Sequence, residues 1–570
     1  MDIRRLVIYV GLAITSYMLI INWSNDYSSI DSQPVSEQAA TQYEDAPMTG
    51  ESNIAVDGDT PDVSEQPTLS SIDEPAISAA PSGKLIYVET DVLKVAIDPK
   101  GGQVSEVRLP KYPKSNDQKD VPFTLLDNSN ARTYVAQSGL IGRDGVDKDS
   151  GALYSSVSTN YVLEEGEDVL KVVLSTQTDK AQVEKIFTFK RGEYLMDVRY
   201  KVRNISQEPW QGVFYAQLKR DNSDDPSKTS SMGMAAYLGA ALTTKEERYM
   251  KVSFDDLEDE RFKTVEEGGW AAILQHYFVS AWIPAQDQQH TYNGRYVKGN
   301  YVFGFYDNAV SVAPGETATM GAQLYTGPKI QDRLEDIAPN LNLVVDYGIL
   351  WWVAQPLFAV LNFIQSGEIN FFGMDVDLGG GVGNWGIAII LLTVLIKLAF
   401  FKLSAMSYRS MANMRKVAPK MAEIKERFGD NREKLGQEMM KLYKEEKINP
   451  LSGCLPILVQ MPVFIALYWV LMESVELRQA PFYLWIEDMS IKDPFFILPL
   501  LMGASMFLQM KLNPTPPDPM QARVMQMMPV VFTVFFLWFP AGLVLYWVVN
   551  NILSISQQYV ITKQIEKSTK

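Results

Sequence analysis

Five apolar runs crowd the last third of the chain, at 386–401, 455–472, 494–510, 524–539 and 541–561. Each approaches the roughly 20 residues that carry a helix across about 30 Å of hydrocarbon. They predict a polytopic α-helical membrane unit over 385–570. Pro540 and Gly542 split what would be one long run into a tight helical hairpin.

Charge between the runs sets the orientation. The loop 402–454 carries twelve Lys/Arg and seven Asp/Glu, net +5, whereas 473–493 carries two and five, net −3. The positive-inside rule places the first in the cytoplasm and the second outside. At the N-terminus, Arg4 and Arg5 precede an apolar run, 6–21, and Trp23. Residues 1–23 read as an uncleaved signal anchor, with a cleaved signal peptide as the alternative; either exports the chain that follows. One further apolar segment, 347–364, contains Trp351, Trp352, Pro356, Phe358 and Phe363. Counting it as a span would put the +5 loop outside. It therefore reads as a helix in the outer interface, within a 331–384 stretch that ends in a Gly-rich connector. The expectation is six spans with both termini cytoplasmic.

The formal charge of −16 over 570 residues suggests a soluble acidic protein until it is located. Residues 24–82 hold twelve Asp/Glu and no Lys or Arg; such a segment buries too little to offset chain entropy and reads as a disordered acidic tether. Residues 83–330 then alternate, as in Leu85–Val88, Leu93–Ile97, Leu170–Leu174, Ile186–Phe189 and Tyr301–Phe305, with turns such as Asp98-Pro99-Lys100-Gly101-Gly102 between them. Many short strands predict a large exported antiparallel β-sandwich. His276 and His290 read as structural histidines, and the acidic run Asp255, Asp256, Glu258, Asp259, Glu260 as a solvated face.

Several chemistries lose support. The acidic balance disfavours direct DNA binding. Cys454 alone excludes an intramolecular disulfide, and with two histidines no cysteine- or histidine-rich metal site is expected. There is no P-loop. No cofactor or catalytic residue is expected.

Three features point to a transport-type site. Lys397 lies twelve residues into the run that begins at Trp385, roughly 18 Å along a helix. An intramembrane cation faces water or a partner; alternatively its stem snorkels to the headgroups. Thr393 shares its face. Second, 404–427 and 431–447 read as a cytoplasmic helical hairpin within 402–450, with capping-box spacing at Asp430 and Glu433. It is either a receiver for a ligand or a solvated connector. Third, seventeen of 25 methionines fall in 347–570; methionine fills core gaps, and it also suits surfaces that accept varied apolar sequences. Gln460, Asn550 and Asn551 add polar groups to apolar helices.

The runs Gly383–Gly386, Gln437–Tyr443, Asn449–Pro456, Gln460–Phe464, Val475–Phe482 and Phe536–Leu543 resemble the YidC/Oxa/Alb membrane insertase family. The anchor, tether and large exported domain resemble its Gram-negative form. The resemblance implies a five-helix core around a hydrophilic groove open to cytoplasm and lipid, and a periplasmic β-supersandwich similar in fold to sugar mutarotases. Lys397 matches a position where the family usually carries arginine, keeping the charge without the bidentate fork. Tyr546 and Trp547 match a frequent tyrosine pair. The implied groove set is Lys397, Thr393, Gln460, Met461, Pro462, Phe464, Tyr546 and Trp547. The hairpin set is Met411, Met414, Met439, Met440 and Tyr443.

The function so implied is insertion and folding of nascent inner-membrane proteins without nucleotide hydrolysis. The implied partners are nascent chains, the Sec translocon with its accessory subunits, the ribosome and the bilayer. The rival readings are a membrane-anchored periplasmic carbohydrate-binding protein, which would need an acid/base constellation in the β-domain, and a transporter, which would favour inverted repeats.

Overall fold

The computed structural model describes residues 60–61, 84–147, 151–227, 236–371, 374–377, 379–429, 431–446, 455–512 and 519–568. The expected anchor lies outside these residues, as do nearly all of the tether, Asp430 and Cys454.

The β-domain is the expected sandwich, built from two large sheets. One runs in the order Phe262–Glu267, Gln289–Val297, Asn300–Tyr306, Trp210–Asp221, Arg132–Ile141, Gln118–Ser129, Gln103–Ser115, Lys94–Asp98, Ile86–Glu89 and Asn160–Val162, with Val310–Val312 paired to the outer part of Trp210–Asp221. The other runs Met250–Val252, Gly239–Leu242, Ala271–Leu274, Phe278–Ile283, Thr317–Pro328, Leu195–Asn204, Ala181–Lys190, Val169–Gln177 and Ser155–Ser156. Among the described pairings of these sheets, Ile86–Glu89 with Asn160–Val162 is parallel and the rest are antiparallel. Between the sheets lie Trp210, Trp270, Trp282, Tyr200, Phe187 and Phe303, all buried. The acidic run opens a short helix, α1 (Phe254–Asp259), through a capping box between Ser253 and Asp256. Its early carboxylates favour the helix N-terminus.

Period-two alternation puts one cation in the core. In Ala181–Lys190 the inward set is Ala181, Val183, Lys185, Phe187 and Phe189. Lys185 Nζ donates to the carbonyls of Gly101 (3.0 Å) and Ser138 (3.1 Å) and faces the Tyr200 ring at 5.0 Å. Gly102, at φ 58°, leaves the room; a Cβ there would strike the lysine stem. Burial pushes Lys185 down from 10.5 to about 7. The unfolded chain therefore binds more protons than the folded one between those values, and stability rises with pH across that interval. Buried tyrosines work oppositely: Tyr134 is raised from 10.0 to about 12 by burial, so its neutral form favours the fold and that contribution is lost above pH 10. Thermal unfolding of the β-domain within the full chain should thus shift upward by several degrees from pH 7 to about pH 9.5. Lys185→Met should flatten the profile.

The remaining chain is helical apart from a two-stranded antiparallel hairpin, Glu368–Phe371 with Met374–Asp377. After α2 (Gln331–Ile337) come α3 (Trp351–Ser366), α4 (Trp385–Ala399), α5 (Phe401–Phe428), α6 (Arg432–Glu445), α7 (Leu455–Glu473), α8 (Ile497–Leu512), α9 (Pro519–Phe536) and α10 (Ala541–Ser568). All five apolar runs are helical, but their limits move. The first ends at Ala399, and the chain bends by 67° into α5, two residues later, with no loop. The hairpin's first helix therefore begins at Phe401 rather than 404. The fourth run stops at Phe536, and the last extends to Ser568. Gly348–Ser366, the segment read as interfacial, is by length and apolar content long enough to cross a membrane. It packs on α7 and α4, with Trp351 and Trp352 exposed.

Candidate functional site

The site begins at the N-terminus of α4. Asn384 Oδ1 accepts from Ile387 N at 3.0 Å, which caps the helix, and Nδ2 donates to the carbonyls of Pro481 and Phe482. Trp385 stacks on Phe358 of α3, and Gly386 lies under the Phe482 ring, where any Cβ would clash. Asn-Trp-Gly therefore fastens α4 both to α3 and to the loop after α7.

From that fixed end α4 carries Thr393 and Lys397 inward, to 1% and 4% exposure. The Lys397 side chain turns into the helical bundle. Its Nζ donates to Ser554 Oγ of α10 at 2.7 Å, and Ser554 Oγ donates in turn to Asn550 O, one turn earlier, also at 2.7 Å. Among the described residues Lys397 pairs with no carboxylate. An ammonium has three donors, so two remain for a ligand or water. A buried unpaired charge costs several kcal/mol; packing alone does not explain it. Thr393 Oγ1 is committed to Ile389 O at 2.6 Å and keeps its acceptor lone pairs free.

The α10 helix is the hub. Its polar residues recur at i, i+4 and i+8 on one side. Asn550 Oδ1 accepts from Gln460 Nε2 of α7 (3.1 Å), Ser554 accepts from Lys397, and Gln558 Nε2 donates to Leu512 O of α8 (3.1 Å). Asn551 Nδ2 donates to Ser505 Oγ, also on α8. One helical turn before Asn550, the chemistry turns aromatic: Phe464 meets Trp547 edge-on at 4.6 Å and Tyr546 at 6.2 Å, and Phe536 of α9 joins Trp547 at 5.2 Å. Layers of aromatic, amide and ammonium character thus follow at four-residue steps, about 6 Å apart along α10. Trp547 Nε1 is buried without a hydrogen-bond partner.

Six of the eight expected groove residues, Lys397, Thr393, Gln460, Phe464, Tyr546 and Trp547, line this assembly. Met461 turns outward at 46% exposure and Pro462 is half-buried inside α7. Sequence reasoning missed Ser554, Ser505 and Gln558. The four-residue spacing Asn550–Ser554–Gln558 was the available signal.

In the hairpin, Asn431 caps α6, its Oδ1 accepting from Lys434 N at 3.0 Å. Met414, Met439 and Tyr443 pack around Val417, Met421 and Leu442, so these are the hairpin's own core. Met411 is half-buried, and Met440 is 58% exposed.

The junction with the β-domain was not foreseen. Lys329 Nζ pairs with Glu473 Oε2, at the end of α7, at 3.1 Å, with both side chains at most 4% exposed. His276 Nε2 donates to Met472 O at 2.8 Å, and burial holds its imidazole below the usual range, so the ring stays neutral. Arg478 donates to the carbonyls of Pro113 and Lys114 and lies over Phe123 and Phe278. His290 bridges Asp307 and Ala285 O. Both histidines are structural.

Residues 85–360 match the family described as the YidC periplasmic domain, and 378–568 match that described as 60Kd inner membrane protein. A relative named membrane protein insertase YidC from Stutzerimonas stutzeri is 54% identical, with 100% of both chains covered. One of the same name from Alcanivorax borkumensis is 51% identical over 100% of both. A crystal structure titled as an active YidC insertase is 19% identical, covers 84% of this chain and 93% of its own, and has a TM-score of 0.36. A galactose mutarotase related enzyme from Lactobacillus acidophilus is 11% identical over 43% of this chain and 97% of its own, at 0.29. At those TM-scores neither likeness carries an argument.

Proposed function

The chain belongs to the YidC membrane protein insertases, and from that premise we propose that it inserts nascent segments through a polar path centred on Lys397. The observation that carries this reading is a buried ammonium held by one hydroxyl, with donors to spare, on a stripe of neutral polar side chains inside the helical bundle.

In this mechanism α4, α7, α8, α9 and α10 span the inner membrane, with an N-terminal anchor as the sixth span. The β-domain and the loop 474–496 face the periplasm, and both termini and the hairpin face the cytoplasm. The +5 loop and the −3 loop support this orientation. A nascent segment meets the hairpin at Met411 and exposed Met440. Its polar flank enters beside Lys397, which attracts acidic residues, while Thr393, Gln460 and Asn550 supply hydrogen-bonding groups. The apolar part leaves along Met461, Pro462 and the Phe464–Trp547 face into lipid. Transfer of apolar area from water drives the step, about 25 cal/mol per Å². The path shortens the dry distance for the flank, and no nucleotide or covalent chemistry is needed. The ribosome and the Sec translocon are proposed as suppliers of the segment.

Ser554 holds Lys397 in place. Ser554→Ala should lower insertion of a substrate with an acidic flank by about threefold, the equivalent of a net hydrogen bond of ~0.7 kcal/mol. Ser554→Thr should restore it. Wild-type insertion by Ser554→Ala would remove this residue from the path. A carbohydrate-binding reading would require a polar constellation in the β-domain open to a sugar. The two buried histidines, one held by Met472 O and the other by Asp307 and Ala285 O, do not supply one.

A further inference from the structure

The run Val475–Phe482 is one of those on which the family resemblance rests, yet the insertion path does not use it. It forms one wall of a cleft of about 550 Å³; the other wall is the tip of the Gln103–Ser115/Gln118–Ser129 hairpin. The hairpin contributes Lys111 and Lys119, and the loop contributes Glu476, Arg478, Pro481 and Glu487. The charges are mixed and mostly uncommitted. Lys119 and Glu487 approach only to 3.9 Å, and both are about two-thirds exposed, a pair worth little. Among the described residues Lys111 has no acidic partner within salt-bridge distance. Arg478 is fixed at the back by its two carbonyl bonds and two rings. Burial, with Asp332 near, pushes the Glu476 carboxyl up to about 7.

Beside the cleft the loop turns apolar. Just past Pro481, Tyr483 is 57% and Leu484 88% exposed. Leu484 sits at φ 59°, a conformation that costs a leucine about 1–2 kcal/mol. A strained, fully offered leucine next to a charged cleft matches a surface that meets hydrocarbon and headgroups together.

We propose that this cleft binds an outer-leaflet phospholipid whose headgroup carries both a phosphate and a primary amine. The phosphate sits between Lys111 and Lys119 with Arg478 behind it. The ammonium donates to Glu476 and Glu487, and the acyl chains lie on Tyr483 and Leu484. The inference rests on the proposed periplasmic placement of loop 474–496.

The test uses the full chain in detergent, titrated by native mass spectrometry with phosphatidylethanolamine, phosphatidylcholine, phosphatidylglycerol and soluble glycerophosphoethanolamine. Phosphatidylethanolamine should bind about fivefold better than the other two lipids, the loss of roughly one charge-assisted contact. Lys111→Ala/Lys119→Ala should weaken all three lipids together, because each carries the phosphate, and Glu476→Gln/Glu487→Gln should remove the preference over phosphatidylglycerol. Equal binding of the three lipids, a preference untouched by Glu476→Gln/Glu487→Gln, or lipid affinity untouched by Lys111→Ala/Lys119→Ala overturns the proposal. So does glycerophosphoethanolamine binding as tightly as the lipid, which would identify a free-headgroup site. Placement is checked separately with Lys492→Cys in a Cys454→Ser chain. Labelling by an impermeant maleimide from the periplasmic side supports the topology. Labelling only from the cytoplasmic side overturns the topology, whatever the lipid result.

Discussion

Lys397→Ala should lower insertion of a two-span substrate with an acidic translocated flank by about tenfold, and should at the same time make the protein more stable. The two signs follow from one fact. A cation at 4% exposure with a single hydroxyl partner is an uncompensated desolvation cost, and its removal relieves about 1–3 kcal/mol even after the cavity left behind is counted. Its attraction for a substrate carboxylate near 4 Å is bounded by ~4 kcal/mol at an effective dielectric of 20. A third of that bound corresponds to the tenfold change. Lys397→Arg should keep most of the activity, because charge rather than a bidentate fork is what this position supplies. Substrates whose flank carries no acid should be less affected by either variant. A thermal melt and an insertion assay on the same preparations check both signs. Lower stability together with lower insertion would mean that Lys397 serves packing instead.

Glu473→Gln should destabilise the junction by about 3–5 kcal/mol, because it strands the Lys329 ammonium at 3% exposure. Lys329→Met should do the same from the other side. The double replacement Lys329→Met/Glu473→Leu should recover most of the loss, since an apolar pair can substitute for a buried ion pair. Limited proteolysis of the β-domain and its thermal transition read the effect. The consequence reaches the path: Glu473 ends α7, the helix that carries Gln460 and Phe464, and His276 grips the Met472 carbonyl one residue earlier. Insertion should therefore fall with the single changes and return with the double. Equal stability in all three proteins would show that the pair holds nothing.

Sequence pattern revealed much of this molecule, unevenly. Strand alternation and apolar run length depend on nearest neighbours along the chain, so the two-sheet domain and the helical last third were readable. So was the start of α4 at Trp385, although the contacts that fix it reach Phe358 and the loop at Pro481 and Phe482. The end of α4 was not. The bend at Phe400 carries no proline or glycine, and the apolar character simply fades into Lys402. Methionine misled in part, because composition cannot separate Met414 and Met439, packed within the hairpin, from Met440, turned outward. The partner of Lys397 lies 157 residues away, and the partner of Lys329 lies 144 residues away. Single-sequence patterning has no access to such separations. Even so, the polar period on α10 marked the face that Lys397 meets.

A photocrosslinking amino acid at Met461, beside the polar stripe, tests the central claim most directly when compared with one at Val531, outward-facing on α9 and 57% exposed. Membranes holding each protein would receive a stalled nascent chain with one apolar segment. Strong adducts at position 461, weakened by Lys397→Ala, with little at 531, are the predicted result. Equal adducts at both positions, unchanged by Lys397→Ala, would contradict insertion along the Lys397 path.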